Sequence, residues 1–168
     1  MTSRARGRRE LPGDAPMERA PLNIDRELRL SRLLMFSERK YQRFLAGVLK
    51  ENGVGASDYP ILLSLFHAGK AGMDALSQTE IADHNIQDKG LVTRAVRGLS
   101  GKGLVATVVD PSNRSRHLVS LTDEGEKVAA RIDEAIRSWE DDLWGTFGED
   151  EPQARAIFAK LATEYLQS

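Results

Sequence analysis

The sequence predicts a mainly α-helical, α+β protein in which long helices at both ends flank a smaller mixed domain. Two observations predict this class. Helical apolar periodicity runs through most of the chain after residue 22, and two short β-branched runs, residues 104–109 and 117–121, are adjacent as in a hairpin. With 168 residues, 40% of them hydrophobic, the chain is long enough to bury one sizeable core.

Four segments follow from this pattern. Residues 1–21 combine prolines with clustered arginines and are expected to form a flexible basic arm. Residues 22–56 contain a long helix, and residues 122–168 contain two more. Both end segments carry more apolar surface than the mixed domain, residues 57–121, could cover, so we expect them to form dimerisation helices. The excess is clearest at Leu33 to Phe36.

The first helix is predicted to begin after the N-cap Asn23 and to stop at Asn52-Gly53. Ser57 is predicted to cap a second helix that ends at Gly69, with Pro60 in its first turn. Each boundary rests on the preference of small polar residues for helix starts and of glycine for helix ends.

The run Ser77-Gln78-Thr79-Glu80 matches a capping box, which predicts the start of a short third helix. After a tight turn, a fourth helix is predicted from Asp88 to about Lys102. The hairpin follows with a long polar tip over residues 110–116. Thr122 is predicted to cap the next helix, and Pro152 lies in the first turn of the last one, whose apolar stripe is Ala154, Ile157, Phe158, Leu161, Ala162 and Tyr165.

This order of capped helix, turn, second helix and hairpin is the layout of a winged helix-turn-helix, whose second helix enters the DNA major groove. The apolar positions of that helix are predicted to pack inward: Leu91, Val92, Ala95, Val96 and Leu99. The DNA-facing candidates are small, polar or cationic: Ser77, Gln78, Thr79, Lys89, Gly90, Thr93, Arg94, Arg97, Arg114, Ser115 and Arg116. Asp110 is placed to pair with Arg114 and stabilise the wing.

Several stretches resemble, in order, the MarR family of bacterial transcriptional regulators. They are Ser77 to Ala82, Asp88 to Leu99, Gly103 to Val105 with Asp110-Pro111, and Leu118 to Thr122 with Gly125. The resemblance covers about residues 24–167. It implies a homodimer that reads a pseudo-palindromic operator in double-stranded DNA. It also implies a repressor that releases DNA when a small, often aromatic and anionic, effector binds.

The resemblance also assigns roles to individual residues. It implies that Thr93 and Arg94 read bases, while Lys89 and Arg97 contact phosphates. Gly90 departs from the family pattern because many members have serine there. At the wing, the family often has adjacent basic residues where Ser115 separates two arginines of this chain. We therefore expect either Arg114 or Arg116 to enter the minor groove, while the other pairs with Asp110.

An effector site is implied on the first two helices, where the polar-tipped side chains are Arg39, Tyr41, Tyr59 and His67. Each of them is also explained as an ordinary structural side chain, which is the preferred interpretation. His67, His84 and His117 form no i, i+4 pair, so no metal site is predicted.

Composition excludes other classes of function. The chain has no cysteine, which excludes disulfides, thiolate zinc sites and cysteine nucleophiles and is typical of a cytoplasmic protein. No apolar run approaches the roughly 20 residues that span a bilayer. No phosphate loop or nucleophile elbow is present, so neither enzyme activity nor a cofactor is expected. Two alternatives stay open: a winged adaptor that binds protein rather than DNA, and a metal-dependent regulator or enzyme.

Overall fold

The computed structural model describes residues 30–166, apart from the side chains of residues 115, 162 and 164–166. The helices are α1 (Leu30–Glu51), α2 (Tyr59–Lys70), α3 (Gln78–Asn85), α4 (Lys89–Gly101), α5 (Asp123–Gly145) and α6 (Glu151–Leu166). The strands are β1 (Leu76–Ser77), β2 (Val105–Asp110) and β3 (Asn113–Leu121). This mainly helical architecture with one small sheet confirms the predicted fold class. The expected basic arm and the predicted N-cap Asn23 lie outside the described residues.

The chain divides after Glu38 into two compact units. In the first unit, described from Leu30 onward, α1 leaves a run of large apolar side chains exposed. They are Leu30, Leu33, Leu34, Met35 and Phe36. This run includes Leu33 to Phe36, where the excess of apolar surface is clearest in the sequence.

The second unit has one core, to which α1, α2, α3, α4, α5 and β3 all contribute. Its largest fully buried side chains are Leu45, Ile61, Leu62, Ile81, Val92, Leu99, Val119 and Ile132. Each of these helices turns an apolar face toward the others, so α3 and α4 are held in fixed positions. None of the described helices is both long enough and apolar enough to cross a membrane.

The start of α2 differs from the sequence prediction. Asp58, not Ser57, is the N-cap residue, and its side chain makes no capping hydrogen bond to the helix. Instead, the Ser57 hydroxyl donates to Asp58 at 3.3 Å, and Lys102 forms an ion pair with the same carboxylate at 3.3 Å. Asp58 is therefore engaged by partners that a local capping pattern does not reveal. Pro60 lies in the first turn as predicted, and the helix extends to Lys70.

The sheet has the strand order β1-β3-β2, with antiparallel pairing throughout. The prediction of a two-stranded hairpin missed β1, which is only two residues long and pairs Leu76 with Val119. The predicted long tip was also wrong, because β3 begins at Asn113 and leaves only residues 111–112 between the strands. Pairing shifts between Val109 and Asp110, so residues 114–116 form an irregular part of β3.

Helix α5 begins in close contact with Leu104, in the loop between α4 and β2. Its N-cap is Thr122 as predicted, with the side-chain oxygen accepting from the Gly125 backbone at 3.0 Å. A Cβ atom on Gly125 would lie 1.9 Å from the carbonyl oxygen of Leu104. Glycine is therefore required at this position so that the two backbone segments can approach each other.

Candidate nucleic-acid interface

The start of α3 has the capping box that the sequence predicts. The Ser77 hydroxyl accepts from the Glu80 backbone at 3.2 Å, while the Glu80 carboxylate accepts from the Ser77 backbone at 2.8 Å. Ser77 is buried because it serves this cap. Of the three candidates on this helix, Thr79 is exposed and Gln78 is half-buried.

The start of α4 is fixed by Asp88, whose Oδ1 accepts from the backbones of Gly90 at 2.7 Å and Leu91 at 3.3 Å. A Cβ atom on residue 90 would lie 2.9 Å from that same oxygen. The serine that the family resemblance leads one to expect at this position would therefore require a small shift of the Asp88 carboxylate. Gly90 is exposed, so the backbone of the first turn is accessible.

Helix α4 separates an apolar face from a cationic one. Four of the five predicted core positions are buried: Val92, Ala95, Val96 and Leu99. Lys89, Arg94 and Arg97 are exposed on the remaining surface, and Thr93 is half-buried. The prediction for Leu91 was wrong, since its side chain is 48% exposed. At about 100° per residue, Leu91 falls beyond the edge of the buried face that Ala95 marks.

Thr93 joins the two helices of the helix-turn-helix. Its hydroxyl lies 2.9 Å from Oε1 of Gln78 and 2.9 Å from the carbonyl oxygen of Lys89. It can donate to either acceptor, which restricts the side chain of a residue that the resemblance assigns to base reading. Gln78 and Thr93 line one groove of about 350 Å³ together with Arg97 and Thr107 of β2.

Arg116 connects the wing to α3. Its guanidinium group lies 2.7 Å from Oε1 of Glu80 and 3.7 Å from Oδ2 of Asp110. Of the two pairings that the sequence predicts for Asp110, the one with Arg116 is therefore confirmed and the one with Arg114 is not, because the irregular register of β3 brings Arg116 to that carboxylate. Hydrogen bonds from Ser112, followed by the charge of Arg116, hold the pKa of Asp110 below its usual value.

Arg114 differs from Arg116 in its surroundings. Arg114 is exposed, and no residue of the described range 30–166 forms an ion pair with it. The side chain of Ser115, between them, is not described. Thus one wing arginine is held by two carboxylates, and the other is available to an external anion.

The capping box, the start of α4 and the wing border one open groove of about 580 Å³. Its lining is Ser77, Gln78, Thr79, Glu80, Lys89, Asn113, Arg116 and His117. Hydroxyl, amide and ammonium donors converge here, and a phosphate backbone accepts hydrogen bonds from such donors. Most of the DNA-facing candidates therefore lie along this groove or on the exposed face of α4.

The four candidate effector residues differ in their surroundings. Tyr41 and Tyr59 contact each other, and burial, followed by Tyr59 and Glu140, raises the pKa of Tyr41 to about 12. Arg39 is exposed on α1, whereas Nε2 of His67 lies 2.8 Å from a carboxylate oxygen of α5.

That carboxylate belongs to Asp133, whose role the sequence did not suggest. Asp133 is 8% exposed and has three side-chain partners: His67 at 2.8 Å, Lys70 at 3.4 Å and Arg137 at 3.4 Å. Burial acts to raise the pKa of Asp133, but the His67 hydrogen bond and the Lys70 charge keep it below its usual value. The cluster connects α2 to α5. Since His67 and Asp133 are far apart in sequence, no local pattern could have predicted the pair.

Replacing Glu80 by glutamine is expected to remove a pH-dependent contribution to stability. Bonds from Ser77, followed by Arg116, lower the pKa of Glu80 from 4.5 to about 2. Since the folded-state value is the lower one, the contribution is complete above pH 4.5 and is lost as the pH falls through about 2. Glutamine keeps the capping box but not the charge. The loss at neutral pH should stay within about 1 kcal/mol because the ion pair is exposed.

Acid-unfolding curves of the wild type and the Glu80→Gln variant would measure this contribution. Arg116→Ala is the matched comparison, because it removes the ion pair and leaves the Ser77 bonds, which are the larger cause of the shift. We expect Arg116→Ala to keep most of the pH dependence. Superimposable curves for the wild type and Glu80→Gln would contradict the prediction.

Comparison with known proteins gives structural matches only. The chain matches no protein-family model and no curated protein sequence. Its structure resembles a crystal structure of MarR with a TM-score of 0.68 and 28% sequence identity, over 86% of this chain and 95% of MarR.

Two further solved structures show the same fold at lower sequence identity. The MepR-DNA complex from S. aureus has a TM-score of 0.72 at 21% identity, covering 83% of this chain and 99% of MepR. NadR in complex with 4-hydroxyphenylacetate has a TM-score of 0.63 at 19% identity, covering 82% of this chain and 95% of NadR. The winged helix-turn-helix predicted from the sequence is thereby confirmed.

Proposed function

The chain belongs to the MarR family of DNA-binding transcriptional regulators, which are not enzymes, and from this premise we propose that it is a homodimeric repressor released by a small molecule. The observation that carries the proposal is the division of α4 into a buried apolar face and an exposed face bearing Arg94 and Arg97. A helix anchored in this way can enter the major groove with its cationic face toward the bases.

Within the proposed complex, the DNA-facing residues contact either base edges or phosphates. Arg94 makes two hydrogen bonds to guanine, and Thr93 meets a neighbouring base or phosphate. Lys89 and Arg97 contact phosphates, as do Thr79 and the half-buried Gln78 at the start of α3. The exposure of Lys89, Arg94 and Arg97 supports these assignments.

At the wing, Arg114 enters the minor groove, and Arg116 holds the wing against α3. The two carboxylates beside Arg116 support this division, because they already neutralise its charge. Arg114 is exposed and keeps its charge for DNA, whose narrow minor groove attracts arginine.

Two exposed apolar surfaces support a homodimer. One is the α1 run from Leu30 to Phe36, and the other is formed on α6 by Ile157, Phe158 and Leu161. Side chains of this size on a water-exposed helix are better explained by contact with a second copy of the chain. A two-fold pair would present two α4 helices to major grooves about 34 Å apart.

Replacing Ile157 by aspartate is expected to weaken the dimer. Ile157 is 53% exposed, so the subunit should stay folded, while a buried charge at the proposed interface would raise the dimer dissociation constant by about tenfold or more. Sedimentation velocity across a concentration series would measure the change. Gln153→Asp adds the same charge at an exposed polar position of α6 and should leave the dimer intact. Equal dissociation constants for the Ile157→Asp variant and the wild type would contradict the proposed interface.

The effector is proposed to bind on α1 and α2. Tyr41 and Tyr59 lie together there, and Arg39 offers an exposed cation for a carboxylate. An aromatic acid such as the one bound by NadR has the complementary chemistry. His67 is less suited to this role because it already contacts Asp133.

Retardation of duplexes from the flanking genomic region tests the proposed function. A repressor of neighbouring genes should bind at least one of these duplexes with a steep dependence on salt concentration. Failure to retard any duplex, even at low salt, would instead favour a winged adaptor that binds protein.

A further inference from the structure

An exposed leucine on the recognition helix is not explained by the core or by the contacts proposed above. Leu91 lies in the first turn of α4 with 48% of its surface exposed, whereas Val92, Ala95 and Leu99 are at most 6% exposed. Leucine at this position therefore does little for the packing of the subunit. The Leu91 side chain is available for a contact outside the subunit.

The surroundings of Leu91 are those of the proposed DNA surface. Leu91 and Arg94 are three residues apart, so they are neighbours on one side of the helix, with Cβ atoms about 5 to 6 Å apart. Lys89 and Gly90 precede Leu91 in the same turn and are exposed. Arg94, the cation beside Leu91 on this side of the helix, favours an anionic partner.

The position of Leu91 is fixed before any partner binds. Its backbone N–H donates to Oδ1 of Asp88 at 3.3 Å, so the N-cap holds the first turn of α4 in place. Gly90 carries no side chain between the helix backbone and an approaching groove. Leu91 can therefore reach a base edge without rearrangement of the helix.

A leucine can recognise one group in the major groove by burial of apolar surface. The C5-methyl group of thymine is apolar, whereas the other groups at base edges are hydrogen-bond donors or acceptors. We propose that Leu91 reads a thymine methyl group in each half-site, next to the base pair that Arg94 reads. This assignment rests on the proposed DNA-binding function and adds a base preference to it.

The experiment removes the methyl group from the DNA and the side chain from the protein. Each thymine of the duplex that the wild type retards is replaced in turn by uracil, which differs from thymine only by that methyl group. Affinities are measured for the wild type and for Leu91→Ala. Alanine has a high helix propensity at this exposed position, so the variant should fold.

At the contacted thymine, uracil should weaken wild-type binding about fourfold in one half-site and about 15-fold in both. The Leu91→Ala variant should bind the thymine duplex more weakly and show no further loss with uracil. Ile86→Asn is the matched control. Ile86 is an exposed apolar residue just before α4, and its left-handed φ of 51° suits asparagine. This variant should keep the full sensitivity to uracil.

Two outcomes would overturn the assignment, and they are distinguishable. If the wild type binds DNA but its uracil profile matches that of Leu91→Ala, the methyl contact is absent and the leucine serves a protein partner instead. If the wild type retards no duplex, the proposed DNA-binding function itself fails, and the assignment fails with it.

Discussion

Replacing Arg94 by alanine is expected to weaken operator binding by about 1 to 3 kcal/mol for each recognition helix and to relax the preference for one base pair. Arg94 is exposed on α4, whose opposite face is buried in the core, so the loss should come from the DNA contact rather than from misfolding. Titration of the operator duplex at two salt concentrations, with matched and mismatched base pairs, would measure both effects.

Two further variants separate charge from geometry. Arg94→Lys keeps the positive charge but cannot make the two parallel hydrogen bonds to guanine, so it should retain the salt dependence and lose base preference. Lys89→Ala should reduce the salt dependence and keep the base preference, because a phosphate contact contributes to affinity on every sequence. Unchanged affinity in Arg94→Ala would remove this residue from the proposed base-reading set.

Replacing Gly125 by alanine is expected to cause the largest loss of stability. The new Cβ atom would lie 1.9 Å from the Leu104 carbonyl oxygen and 2.9 Å from its carbonyl carbon. These are backbone atoms, and the same oxygen accepts from the Thr122 backbone at 3.1 Å, so α5 must shift. We expect a net loss of about 3 kcal/mol, equivalent to a fall in Tm of roughly 6 to 12 °C.

The matched control for this substitution is Gly98→Ala in the interior of α4. Apart from its chain neighbours and the backbone of its own helix, a Cβ atom at residue 98 would have no heavy atom within 4 Å, and the position is exposed. Alanine there should stabilise the protein by about 0.5 to 1 kcal/mol through its higher helix propensity. Urea unfolding of both variants would test the pair, and equal stability of Gly125→Ala and the wild type would contradict the predicted clash.

Local chemistry in the sequence predicted the parts of the fold that are determined locally. The capping box at Ser77, the Thr122 cap and the 3.6-residue periodicity each act within one or two turns of helix. These helix starts, together with the periodicity, predict which faces of α3 and α4 are exposed. Most DNA-facing candidates could therefore be assigned to an exposed surface from the sequence alone.

The parts that were missed depend on partners distant in sequence. Strand β1 is only two residues long and exists because β3 pairs with it, and a segment this short has no alternation of its own. The partner of Asp110 depends on the register of β3, which shifts at that residue. Leu91 looked like a core residue because apolar type alone does not show where the edge of the buried face lies. Its neighbour Ala95 marks that edge.

Ser77 belongs to two elements at once: as the last residue of β1 it pairs with Leu118 of the wing, and as the N-cap it begins α3. Arg116 adds a second link between the same elements through Glu80. A displacement of the hairpin would therefore also move the start of α3, so we expect the wing and the helices α3 and α4 to move together as one rigid unit. In the proposed homodimer, release from an operator would then change the separation of the two winged domains, while each domain keeps its internal geometry.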